Sequence, residues 1–143
     1  MTIERVAVLQ RVRLFSEVPG HMLVAVARLL DEVSFDSDEA IIEQGAVEDW
    51  LYVVAEGRVR IHLGDRTLGE AGKGDVVGEL AVLASTPRSA SVAAIEPTLL
   101  LRLRRAPLEE LLDDRPEIAR GVIATLVQML QAANERAGPM VDA

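Results

Sequence analysis

Glu79 and Arg88 stand nine residues apart in the segment VVGELAVLASTPRSASVAA, residues 76–94. A carboxylate accepts hydrogen bonds from a diol, and a guanidinium grips a phosphate through two parallel N–H groups. The Gly-Glu-Leu-Ala start, apolar turn and Ser-Thr-Pro stretch between them predict a short helical turn and a loop. The amides at the start of such a turn add donors for an anion. One segment with all of these suits a small sugar phosphate. The competing reading is a buried Glu79–Arg88 ion pair that only holds the turn; such pairs often do no better than an apolar replacement.

The elements that must position this segment follow from hydrophobic period. Residues 3–12 are amphipathic, with Val6, Leu9 and Val12 on one helical face. Phe15 and Val18-Pro19-Gly20 mark a turn, and residues 21–30 predict a second helix through Leu23, Val26, Ala27 and Leu30. From Val33 the period changes to two. Short strands are predicted at 33–35, 40–43, 51–54, 59–63, 67–71, 76–77, 91–94 and 98–103. Glu56-Gly57 and Gly64-Asp65 read as hairpin turns between them. The expectation is an α+β fold, an eight-stranded antiparallel β-roll or jelly roll. After Leu103 the helical period returns in 106–113 and again from Pro116 to about residue 136. In the long helix Ile118, Val122, Leu126, Met129 and Ala133 form one stripe, with Ile123, Val127 and Leu130 beside it. That surplus of apolar surface predicts a pocket cover or a subunit contact.

Composition bounds the function. The 143 residues suit one domain, 1–143, with N-terminal helices at 1–31, the β-roll at 32–103 and two closing helices at 104–137. Half the residues are hydrophobic but only 3% are aromatic, so the core is aliphatic. The chain has no cysteine, which excludes disulfides and thiolate metal sites and fits a cytoplasmic setting. No signal peptide is read in the first ten residues, and no apolar run approaches the roughly 20 residues that cross a bilayer. A net charge of −8 disfavours nucleic acid, so an anion needs a local positive pocket. Arg102, Arg104 and Arg105 form the densest basic spot, but Glu109, Glu110, Asp113 and Asp114 follow at once, and a strand end solvated by charge is expected.

The segment resembles the phosphate-binding cassette of cyclic nucleotide-binding domains. The matching residues are Val77-Gly78-Glu79-Leu80-Ala81-Val82 and Pro87-Arg88-Ser89-Ala90-Ser91-Val92-Ala93-Ala94. Ile42-Glu43-Gln44-Gly45, Leu51-Tyr52-Val53-Val54-Ala55-Glu56-Gly57 and Gly74-Asp75 match further, and the order of helices, roll, cassette and closing helices agrees. The resemblance implies that Glu79 binds the ribose 2′-OH and Arg88 the cyclic phosphate. It implies nearby roles for Val77, Gly78, Pro87, and the amides of Leu80, Ala81, Ser89 and Ala90. It also implies a regulatory domain whose C-terminal helix moves on binding. In the family a hydroxyl residue directly after the arginine can bond guanine, as Thr does in cGMP sites; Ser89 holds that position but Ser also occurs in cAMP binders, and cAMP is the ligand expected.

Departures are visible as well. Val77 replaces the family's frequent Phe, and Phe35-Asp36-Ser37-Asp38 replaces a glycine turn far from the pocket. No aromatic residue follows Tyr52, so a lid over the base must be aliphatic: Met129, Leu130 or Ala133, with Asn134 as a polar contact. A cupin-type enzyme would need several converging His and carboxylates; His21 and His62 are alone, and no catalytic triad or phosphate loop is present. The chain is therefore read as no enzyme, with neither a metal nor a cofactor beyond its ligand. It ends where a helix-turn-helix would begin, so DNA binding is not expected from these residues. The alternatives kept open are a ligand-free roll that mediates protein contacts, a homodimer or effector contact through the last helix, and a domain excised from a longer chain.

Overall fold

Apolar residues alternate from about residue 31 to about residue 104, and the chain folds accordingly. The structure, a computed structural model, describes residues 2–137. Helix α1 (Thr2–Leu9) and 3-10 turns at Arg13–Phe15 and Gly20–Met22 lead into helix α2 (Leu23–Ala27). Eight strands follow: β1 (Asp31–Phe35), β2 (Ala40–Ile42), β3 (Trp50–Glu56), β4 (Val59–Leu63), β5 (Arg66–Ala71), β6 (Val76–Val77), β7 (Ser91–Ala94) and β8 (Thr98–Arg104). A 3-10 turn, Glu79–Val82, lies between β6 and β7, and helices α3 (Arg105–Asp114) and α4 (Pro116–Ala137) come last. The strands make two four-stranded antiparallel sheets, β1-β8-β3-β6 and β2-β7-β4-β5. This is the expected α+β roll flanked by helices.

Two local expectations are corrected. Residues 21–30 are not one helix: only Leu23–Ala27 is α-helical, after a 3-10 turn. The chain has to unwind there to feed β1, and Arg5 Nη1 donates to the freed Leu30 carbonyl at 2.9 Å. Glu56-Gly57 is not a hairpin either. β3 pairs with β8 and β6, whereas β4 pairs with β5 and β7, so this turn crosses between sheets. Gly57 presses on the β7–β8 corner, where a Cβ would lie 2.5 Å from Thr98 Oγ1. Gly64-Asp65 is the hairpin expected, with Leu63 paired to Arg66.

The strand runs Leu51-Tyr52-Val53-Val54 and Leu99-Leu100-Leu101 are apolar on both faces because both faces are covered. Leu51, Val53, Leu101 and Leu103 join a core with Leu9, Leu14, Phe15, Leu23, Leu108 and Ile118 from the helices. Tyr52, Val54 and Leu100 face the other sheet with Ile42, Val59, Val92 and Ala94. One side of the first sheet thus carries the helices and the other closes the roll. Helix α4 docks on the segment after the first 3-10 turn: a Cβ on Gly121 would meet Glu17 O and Val18 Cγ2 at 2.9 Å. Ser16 Oγ lies 3.4 Å from Thr125 Oγ1, and Gln128 Nε2 donates to Glu17 Oε1 at 2.8 Å. Leu103 is fully buried where the helices meet the roll. Leu103→Ala is expected to cost about 2–5 kcal/mol in urea unfolding, from lost transfer energy plus a residual cavity; a loss below about 1 kcal/mol would show that the helical side of this sheet is not a packed core.

Candidate functional site

The cassette is a strand–turn–loop whose bends depend on one glycine. β6 is only two residues long and ends at Gly78, which adopts φ 70°, a left-handed conformation that costs a residue with a Cβ about 1–2 kcal/mol. The bend opens the 3-10 turn Glu79–Val82, which buries Ala81 and Val82 and leaves Leu80 half exposed. It also clears room for Arg88, since a Cβ on Gly78 would overlap Arg88 Nη1.

Arg88 is 6% exposed, a guanidinium almost removed from water. Its Nε donates to Glu48 Oε1 at 2.9 Å and its Nη2 to the Trp50 carbonyl at 2.7 Å. Nη1 reaches the Gly78 carbonyl at 3.4 Å. The backbone is fixed to the same β2–β3 loop: Arg88 N donates to Ala46 O and Gly45 N to Arg88 O, both at 2.8 Å. Val47 and Pro87 form a bridge beside them. A guanidinium has five N–H groups, so one on each terminal nitrogen has no acceptor among the described residues. Unused terminal N–H groups of a guanidinium are the donors that can grip a phosphate.

Arg88 borders a cavity of about 180 Å³ together with Val77, Gly78, Ser89, Ala90 and Val92, closed by Ile42, Ile61 and Val76. Apolar walls with one positive group and a serine hydroxyl suit a monoanion carrying a flat ring. Val77, Gly78, Arg88, Ser89 and Ala90 are therefore brought together. Leu80, Ala81 and Pro87 are not on the wall. The Ala81 amide is already used, donating to Gly78 O at 3.2 Å. Met129, Leu130, Ala133 and Asn134 do not border the cavity; α4 docks through Gly121, Thr125 and Gln128 on residues 16–18. A larger cavity of about 470 Å³ lies under α1, with Arg5, Arg11 and Lys73 facing Glu4, Glu32 and Glu56. It touches no cassette residue, and its opposed charges give it no preference for an anion.

Glu79 and Arg88 do not pair with each other. Glu79 Oε2 accepts the Leu14 amide at 2.9 Å and Oε1 accepts Arg13 Nη2 at 3.0 Å, so the carboxylate is turned toward the first 3-10 turn. The simple buried-pair reading is thereby excluded. Sequence reasoning missed Glu48 and Arg13, whose partners lie 40 and 66 residues away. The acidic step Glu48-Asp49 directly before β3 was the visible signal for the first; for Arg13 there was none. Arg102 is also corrected: it is not a solvated strand end, because it lies 5.7 Å from the Trp50 ring centroid with its Nε buried.

The family model for the cyclic nucleotide-binding domain matches residues 32–115. This chain belongs to the cyclic nucleotide-binding domain family. Its ligand class is a cyclic nucleotide, and its relatives include transcriptional regulators, channels and a protein kinase regulatory subunit. The domain is 37% identical over 105 residues to the cyclic AMP receptor protein of Thermus thermophilus, covering 70% of this chain and 49% of that one. It is 31% identical to a cyclic nucleotide-gated potassium channel of Rhizobium etli, covering 90% of this chain and 34% of that one. The N-terminal domain of a transcriptional regulator from Streptomyces coelicolor superposes with a TM-score of 0.85 at 28% identity, covering 95% of this chain and 99% of that one. The cyclic nucleotide-binding domain thus spans between a third and a half of these two curated relatives' length.

The Gly78 bend gives the site a direct test. Gly78→Ala should lower stability by about 1–3 kcal/mol in urea denaturation, from the left-handed backbone and the collision with Arg88. An unchanged midpoint would mean that the guanidinium does not occupy this position in solution.

Proposed function

We propose that this domain is a cyclic nucleotide sensor that prefers cAMP, and that binding repositions its closing helices. The observation that carries the reading is the buried Arg88, fastened on one side by Glu48 and Trp50 and holding two unengaged N–H groups at an apolar cavity. A cyclic monophosphate brings one delocalised negative charge to that fork. Ser89 lines the same cavity and offers a hydroxyl there. The name of the Thermus relative, a cyclic AMP receptor protein, supports cAMP.

The cassette has a physical link to the closing helices. Arg105, the first residue of α3, donates from Nη1 to Ser85 Oγ at 2.9 Å, and its amide donates to Asp49 O at 2.8 Å. Drawing the cassette inward around a phosphate would pull on this junction, and α4 would follow α3. The ligand can shift that equilibrium only by its preference for the closed form. Met129, Leu130, Ala133 and Asn134 reach the pocket only in that form. Neither catalysis nor DNA contact is assigned to these residues.

Arg88→Ala should weaken cAMP binding by about 2–4 kcal/mol in calorimetric titration, the value of a buried charge-assisted contact. Equal affinity in variant and parent would remove Arg88 from the site. Failure of the parent to bind either cAMP or cGMP would favour the alternative, a ligand-free roll used for protein contacts.

A second surface supports pairing or effector contact through α4. Ile123 (59% exposed), Val127 and Leu130 (62% exposed) form an unpartnered stripe along this helix. Ile123→Glu with Leu130→Glu should convert a sedimenting dimer to monomer at equal loading concentration; a parent already monomeric at high micromolar concentration would contradict self-pairing.

A further inference from the structure

The carboxylate that the sugar needs is occupied. Both oxygens of Glu79 accept hydrogen bonds from the 3-10 turn Arg13–Phe15, one from the Leu14 amide at 2.9 Å and one from Arg13 Nη2 at 3.0 Å. Glu79 does not border the cavity that Arg88 borders, and neither Arg13 nor Leu14 does. To accept a hydroxyl from a sugar in that cavity, the carboxylate must turn away from at least one of these donors. The donors differ in what they lose. Arg13 is 65% exposed along its side chain and regains water. Leu14 is fully buried, and its amide would be left short of an acceptor unless the turn itself moves.

The same turn runs directly into the contacts that seat α4. Two residues after Leu14, Ser16 faces Thr125; Glu17 accepts from Gln128; Glu17 and Val18 abut Gly121. A shift of the turn therefore reaches the closing helix without passing through α3. On the reading that the cavity takes a cyclic nucleotide, we propose that Arg13 and the Leu14 amide compete with the ligand's sugar hydroxyl for Glu79. The 3-10 turn thereby reports sugar occupancy to α4. Arg13 is a positioning residue: it touches Glu79, not the ligand. Its role is to hold the carboxylate away from the cavity.

Competition makes a prediction that a merely structural Arg13 does not. Arg13→Ala removes a rival for Glu79, so it should tighten binding of cAMP by about two- to fivefold, the range for an exposed ion pair. Binding of 2′-deoxy-cAMP, which has no hydroxyl for Glu79, should stay at the parent's value. Both are read by calorimetry on the parent and variant chains. In parallel, saturating cAMP should speed hydrogen exchange of the Leu14 amide in the parent, because its acceptor is drawn off. Arg13→Ala binding cAMP no more tightly than the parent, or gaining equally for both nucleotides, would overturn the proposal. So would a Leu14 amide that becomes better protected. A parent that binds neither cAMP nor cGMP is a separate outcome: it overturns the sensor reading, and the competition with it.

Discussion

A charged guanidinium nearly removed from water is the constraint around which this domain is arranged. Burial of an ion costs several kcal/mol unless its donors are satisfied and a counter-charge lies close. Arg88 meets that cost with Glu48 on Nε, the Trp50 carbonyl on Nη2 and the Gly78 carbonyl on Nη1, while two backbone bonds fix its main chain to the β2–β3 loop. None of these partners is adjacent in sequence, so the site exists only once both sheets have formed. Gly78 is the complement of the arrangement: its missing Cβ leaves the space that Arg88 Nη1 fills, and its left-handed backbone turns β6 into the 3-10 turn.

The cassette is also the point where the roll meets the helices. Ser85 is bonded to Arg105 at the start of α3, and Glu79 to the turn that seats α4. Each contact is a small polar bond laid over an aliphatic core, in which Leu9, Leu14, Leu103, Leu108 and Ile118 are fully buried. The core supplies the stability of the helical layer and the polar bonds choose its position.

Much of this was legible in the chain. Short alternating or continuous apolar runs, set off by turn residues, located every strand to within a residue or two. Pro116 and the stripe through Ile118 and Val122 located α4. Gly78, Arg88, Ser89 and Ala90 could be grouped because they are local in sequence and the family motif is specific. The Glu56-Gly57 turn was misread because a glycine turn between two apolar runs looks the same whether the runs pair or diverge. Helix α2 was overextended because periodicity does not show where a strand must begin. Glu48 and Arg13 escaped because long-range polar partners leave no period in the sequence. Arg102 escaped because a charged residue between leucines reads as an outward position, whereas here it lies over Trp50 at 5.7 Å.

On the proposed reading, the two N–H groups of Arg88 left free by Glu48, Trp50 and Gly78 receive a cyclic phosphate. A crystal structure of the chain grown with cAMP tests it most directly. Both exocyclic phosphate oxygens should lie within hydrogen-bond distance of the two terminal nitrogens, with the Glu48 and Trp50 bonds to Arg88 still in place. A nucleotide bound elsewhere, or density showing this cavity filled by the protein's own side chains, would contradict it.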